Sequence, residues 1–108
     1  MEPAAFSVSY QRGCKPFLKK YARQQGLIKQ KVAAALQREV ATGMPKVKVA
    51  TPVKLAGLTC YEFRLNLGAL GSARLAFTVQ RQHANVYLIT TKIQKATFSH
   101  ELAQVVGR

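Results

Sequence analysis

Two arginines, Arg64 and Arg74, are the residues of this sequence best placed to do chemistry. Each occupies a polar position in an alternating segment. Tyr61-Glu62-Phe63-Arg64-Leu65-Asn66-Leu67 precedes the loop Gly68-Ala69-Leu70-Gly71-Ser72, and Arg74-Leu75-Ala76-Phe77-Thr78-Val79 follows it. Period-two patterning on both sides of a short glycine-containing loop predicts a β-hairpin. Pairing Gly68 with Ser72 sets Asn66 opposite Arg74 and Arg64 opposite Ala76, with both arginines on one sheet face, because a one-residue slip would bury a polar set. Two cations on one polar face are a candidate anion site, and a guanidinium fork matches phosphate oxygens while staying charged. On the hairpin alone, two solvated arginines are the simpler reading.

The charge balance bears on that choice. In 108 residues there are 17 Lys+Arg against 4 Asp+Glu, with no aspartate, for a net charge of +13. Such an excess points to a polyanion, most simply nucleic acid, or to an acidic protein that neutralises it. A membrane is the weaker partner, since no stretch is apolar enough to span and the basic residues are spread along the chain. Met1-Glu2-Pro3-Ala4-Ala5 has neither a basic n-region nor a long apolar run, so no signal peptide is expected. Cys14 and Cys60 lack partners at metal-like spacing and read as free, semi-buried thiols of a cytoplasmic protein.

The elements that must position the arginines follow from periodicity. The length predicts one domain over residues 1–108, long enough for a single core without staples. Phe6-Ser7-Val8-Ser9-Tyr10 alternates as a first strand. Phe17, Leu18 and Tyr21 form a helical stripe that ends near Gly26, the expected C-cap. Ile28, Val32, Leu36 and Val40 recur at i, i+4, i+8, i+12 in a second helix that stops at Thr42-Gly43-Met44-Pro45. Lys46-Val47-Lys48-Val49 is an extended connector or an edge strand, because Pro45 and Pro52 flank it. After the hairpin, Arg81–Asn85 reads as a polar turn and Val86–Thr91 as a strand buried on both faces. Lys92-Ile93-Gln94-Lys95-Ala96 is a basic loop before a short helix that Thr97 or Ser99 caps and that carries Phe98, Leu102, Val105 and Val106.

The order β-α-α-β-β-β-α predicts an α+β fold. It consists of a small, mainly antiparallel sheet of about four strands, with two N-terminal helices on one face and a short C-terminal helix. The opposite face, with Arg64, Arg74 and the Lys92–Lys95 loop, is expected to be concave and cationic.

Lys54-Leu55-Ala56-Gly57, Tyr61-Glu62-Phe63-Arg64-Leu65 and Ala73-Arg74-Leu75-Ala76-Phe77, in that order and spacing, resemble the RelE/ParE toxin superfamily. Lys92-Ile93-Gln94-Lys95-Ala96 is similar to the tail of its HigB-like branch, without that tail's proline. The resemblance spans Lys54 to Val106. It implies the toxin of a type II toxin–antitoxin pair with an acidic cognate antitoxin. In the RelE and HigB branches it implies an mRNA interferase acting on mRNA in the decoding site of the ribosome. In the ParE branch it implies a DNA gyrase inhibitor. By motif position, Arg74 matches the main catalytic-face arginine, Arg64 a basic residue on the preceding strand, and Lys92 the basic loop residue, with Lys95 a second candidate. Lys54, Arg81 and Phe98 are the candidates for substrate contact. Glu62 stands where RelE has a lysine, and Phe98 where RelE-type enzymes have a tyrosine.

Four glutamates, the separated His83 and His100 and two isolated cysteines provide no metal site and no hydrolytic triad. No cofactor is expected. Metal-free RNA cleavage needs only an oriented 2′-hydroxyl, neutralisation of the phosphorane and proton transfer. Arg64 and Arg74 suit the electrostatic part, and a lysine crowded among cations, Lys92 or Lys95, suits proton transfer. Glu62 is a candidate base whose simpler role is an ion pair with Arg64, and Phe98 is equally an anchor for the last helix. A basic nucleic-acid-binding module without chemistry, such as a decayed toxin, is the further alternative.

Overall fold

The computed structural model describes residues 5–91 and 94–106. Five strands form one mixed sheet in the order β1-β5-β4-β3-β2, with β1 Ser7–Tyr10, β2 Lys48–Val49, β3 Tyr61–Asn66, β4 Ser72–Gln80 and β5 His83–Thr90. β1 runs parallel to β5, and the other pairings are antiparallel. Helices α1 Lys15–Lys20 and α2 Gln25–Ala41 connect β1 to β2, and α3 Lys95–Val106 follows β5. The α+β class agrees with the sequence. The count of about four strands does not, because Lys48–Val49 pairs with β3 as a fifth, edge strand. Among the described residues no helix is long and apolar enough to cross a membrane.

α1 and α2 bury Phe17, Leu18, Ile28, Val32 and Leu36 against Phe63, Leu75, Phe77, Val86 and Ile89, so the predicted apolar stripes meet the predicted apolar hairpin face. Gly26 is not a C-cap. Tyr21 leaves helical geometry (φ −111°, ψ 43°), a 3-10 turn at Ala22–Gln24 redirects the chain, and Gly26 falls in the first turn of α2.

The hairpin register is shifted by two from the expected one. Leu67 N–H donates to Gly71 O and Gly71 N–H to Gly68 O, so the loop centres one residue earlier. Asn66 therefore pairs with Ser72, and Arg64 pairs directly with Arg74. An even shift preserves the faces, and the two arginines do share one.

The β4–β5 turn is tighter than expected. Only Arg81 and Gln82 lie between the strands, with Arg81 in the left-handed region at φ 57°. His83–Asn85 belong to β5 because β1 and Gln11, the residue after it, satisfy their polar side chains. Ser7 Oγ and Ser9 Oγ lie 2.6 and 3.0 Å from the two ring nitrogens of His83, and Gln11 Nε2 donates to Asn85 Oδ1 at 3.1 Å. The missing alternation in β5 has a local cause. The register jumps between Ala76 and Phe77, leaving Tyr87 as a bulge. Ala84 and Val86 thus face the α1/α2 core, Leu88 faces the opposite side, and Ile89 returns to the first.

That opposite side is not an open concave surface. α3 covers part of it, packing Phe98 and Leu102 on Leu55, Cys60, Ala76 and Leu88 in a second core. Lys95 and Ala96 are in the first turn of α3, with Gln94 O accepting from Phe98 N–H, and Thr97 and Ser99 lie inside the helix instead of capping it. The thiols are fully buried, Cys14 in the first core and Cys60 in the second, where semi-burial was expected.

Candidate nucleic-acid interface

Because β2 has two residues, it covers β3 only at Tyr61 and Glu62. The β3 edge from Phe63 to Asn66 is left without a neighbouring strand, and such an edge presents free backbone donors and acceptors. Two contiguous clefts occupy this space. One, of about 420 Å³, lies between α2 and the β3 edge and is lined by Lys31, Arg38, Glu39, Lys46 and Arg64, among others. The other, of about 200 Å³, is lined by Lys46, Lys48, Glu62, Phe63, Arg64 and Arg74. Shared walls at Lys46, Phe63 and Arg64 make them one groove with six cations and two glutamates.

Each cation is placed by a nameable device. Lys31 and Arg38 flank the buried Ile28–Val32–Leu36 stripe of α2 and line the cleft toward β3. Lys46 follows a reversal through Gly43 and Met44, both in the left-handed region. Its position is fixed by Glu39, a buried carboxylate whose Oε1 accepts from Lys46 N–H at 3.1 Å. Lys48 sits opposite Glu62 across β2–β3. The alternation Lys46-Val47-Lys48-Val49 was the available signal for this lysine pair. Of its two readings, an extended connector or an edge strand, the structure realises the edge strand, formed by Lys48–Val49 alone.

Arg64 and Arg74 differ sharply. Arg64 is exposed and forms no ion pair among the described residues. Arg74 Nη1 lies 2.5 Å from Glu62 Oε1, with the Arg74 side chain 20% and that of Glu62 3% exposed. Glu62 therefore pairs with Arg74 and not with Arg64 as expected. In the true register Arg74 is its diagonal cross-strand neighbour, and the small Ala76 directly opposite Glu62 leaves room for the guanidinium. The Arg74 guanidinium also stacks over the Phe98 ring, 5.6 Å from its centroid. Glu62 Oε2 and Arg74 Nε are shielded from solvent without a hydrogen-bond partner among the described residues. Unmet buried hydrogen-bonding capacity of this kind costs on the order of 1–3 kcal/mol per group.

The other expected site residues do not gather here. Phe98 is completely buried, which corrects its expected substrate contact: it anchors α3 and supports Arg74 from below. Arg81 is at the far end of β4, roughly 23 Å from Arg74 along the strand. Lys54 lines neither cleft, and its Nζ donates to Thr59 Oγ1 at 2.8 Å. Lys92 lies outside the described residues, and Lys95 is described only as the first residue of α3. His83 ties β1 to β5, and His100 is exposed beside Gln104. Among the described residues no three His, Cys, Asp or Glu side chains converge as a metal site would require. Burial pushes the Cys60 thiol up to about 11, with the Glu62 charge adding to the effect, and pushes Cys14 up to about 12. Neither is a reactive thiolate near neutrality.

The groove can therefore hold a chain of anions along three cations of the sheet side that form no ion pair among the described residues (Lys46, Lys48, Arg64) and two of α2. It also offers one carboxylate at its inner end. No protein-family model, no curated protein and no solved structure shows a significant match to the chain.

Proposed function

We propose that the groove binds the backbone of single-stranded RNA and that the chain is an RNA-cleaving toxin of the RelE/ParE type. The observation that carries this reading is the pair of contiguous cationic clefts meeting at Arg64 and Lys46, against the bare edge of β3. Lysines and arginines along such a path neutralise successive phosphates, which makes binding strong and salt-dependent. In the cleavage step the 2′-oxygen bonds to phosphorus and the bond to the 5′-oxygen breaks. A proton leaves the 2′-hydroxyl and another reaches the departing oxygen. Arg64 neutralises the phosphorane, and Arg74 joins it once drawn from Glu62. Glu62, released, is the carboxylate of the cleft able to accept the proton, with Lys92 and Lys95 as the expected further proton carriers. Loss of one pre-aimed arginine would cost roughly 3–4 kcal/mol of transition-state stabilisation. An acidic antitoxin encoded beside the chain is the partner this reading requires.

The second reading is a binding protein without chemistry, either a gyrase inhibitor or a nucleic-acid module. It is favoured by one specific observation: Arg74 is held by Glu62, and the ring beneath it carries no hydroxyl. Inducible expression with mapping of mRNA 5′ ends separates the two. New ends that disappear in Arg64→Ala and Arg74→Ala support cleavage, whereas DNA breakage with intact mRNA supports gyrase inhibition. Salt-sensitive RNA binding without toxicity supports the module.

A further inference from the structure

The ladder fixes which main-chain groups of β3 point outward. Leu67 N–H donates to Gly71 O on the β4 side, and Ala50 N–H donates to Cys60 O on the β2 side. Main-chain groups alternate in direction along a strand. Those of Phe63 and Leu65 therefore turn to β4, and those of Glu62, Arg64 and Asn66 turn to β2. β2 reaches Glu62 through Lys48 and goes no further. In the same register Lys46 would stand opposite Arg64. Its N–H instead donates to Oε1 of the buried Glu39 at 3.1 Å, which holds this stretch toward α2 and off the strand. The N–H and C=O of Arg64 and Asn66 are thereby left on an open edge of roughly four residues.

We propose that this edge docks an extended acidic peptide segment of a partner protein, which adds to the sheet as a further strand beside β3. Hydrogen bonding, shape and charge all select it. The edge presents donors and acceptors in turn, and a peptide backbone meets both. Phosphodiesters offer acceptors only and would leave the Arg64 and Asn66 carbonyls unmet. Side chains of an added strand alternate between the faces as those of β3 do. On one face they meet Phe63 and Leu65 and, across the cleft, Ala34 and Ala35 of α2, a wall for small apolar residues. On the other they meet Arg64, with Lys46 and Lys48 beside it, and these cations take carboxylates. A second copy of this chain, with its net charge of +13, is repelled from the same edge. The docking stands on the edge geometry, whereas its consequence, exclusion of RNA from the groove, rests on the RNA-binding reading proposed above.

Full-length protein titrated with a capped hexapeptide of alternating glutamate and valine, followed by amide hydrogen exchange, tests the docking. The Arg64 and Asn66 amides, open in the free protein, should exchange about tenfold more slowly in the complex, while those of Phe63 and Leu65, already bonded to β4, change little. The same peptide methylated on every backbone nitrogen keeps its charge but has no donors, and it should bind about tenfold more weakly. Lys48→Glu should weaken the unmethylated peptide by about as much, because it sets like charges face to face, whereas Lys20→Gln, on α1, leaves its affinity unchanged. A fluorescent oligouridylate bound to the protein should be released by the unmethylated peptide. Alternating protection without release would support the docking and count against RNA in the groove. Absent or non-alternating protection, or equal binding of the methylated peptide, would overturn the docking and leave the RNA reading standing.

Discussion

The two faces of the β3–β4 hairpin are made of alternate residues of the same strands, yet they meet their neighbours on different terms. On the α1/α2 side, Phe63, Leu75 and Phe77 bury apolar surface against Ile28, Val32 and Leu36, and these side chains make no polar demand. On the other side Glu62 and Thr78 are buried and Arg74 is partly buried. Among the described residues Glu62 Oε2, Arg74 Nε and Thr78 Oγ1 have no hydrogen-bond partner, and Arg64, exposed in the groove, has no ion-pair partner. Both faces bury apolar side chains, the second one under α3, but the α1/α2 face of the hairpin does so without buried polar groups. The other holds unmet hydrogen-bonding capacity, which folded proteins keep chiefly at functional positions.

The sharpest way to break this contrast is to damage one face and read the other. Phe77→Ala, at a fully buried position, should cost roughly 3–5 kcal/mol in urea unfolding while leaving RNA affinity little changed at low temperature. A collapse of affinity in a folded variant would show that the faces are not separable. Glu62→Ala works in the opposite sense. Removing one member of a buried pair costs about 3 kcal/mol, the lower end of the range, because Arg74 keeps some solvent contact. RNA affinity should nevertheless rise as Arg74 is released. A fall would place Glu62 among the groups that hold RNA.

Smaller effects sharpen the comparison. Each core carries one thiol, raised from the ordinary 9.0 to about 12 for Cys14 and about 11 for Cys60, mainly by burial. The folded state then keeps protons that the unfolded chain has lost. Stability should be flat below about pH 9 and fall above it, by up to about 1.4 kcal/mol per pH unit for each thiol. Melting temperatures between pH 7 and 10.5 should fall less steeply in Cys14→Ala and Cys60→Ala than in the parent. Equal slopes would mean that the thiols do not titrate across this window. Smallest in stability is Arg64→Ala, within about 0.5 kcal/mol, yet it should lower the magnitude of the salt-dependence slope of RNA binding by about one. An unchanged slope would remove Arg64 from the phosphate path.

What the chain made legible follows a simple division. Strict alternation in Tyr61–Leu67 and Arg74–Val79 and the i, i+4 stripe of Ile28, Val32 and Leu36 are repeated signals, and each located an element and its buried face. Single-residue events were not legible. The Tyr87 bulge moves Leu88 to the other side of the sheet, and the loop centre at Ala69 decides which arginine meets which neighbour. Glu62 was assigned to Arg64 because they are two residues apart on one strand. The partner it takes is set across the ladder, where sequence distance carries no information. β2 was half-visible, since two residues between prolines are too few to show a period.

The parallel pairing of β1 with β5 has a kinetic consequence. Ser7 and His83, 76 positions apart, must meet before the sheet gains its last strand. Closing so long a loop late in assembly raises contact order and slows folding. During synthesis β1 emerges before the other four strands and stays unpaired until β5 has left the ribosome. The α2–β4 segment, which holds every cation of the groove, can form earlier. The cationic groove should therefore take shape on a nascent chain whose first strand is still waiting for its partner.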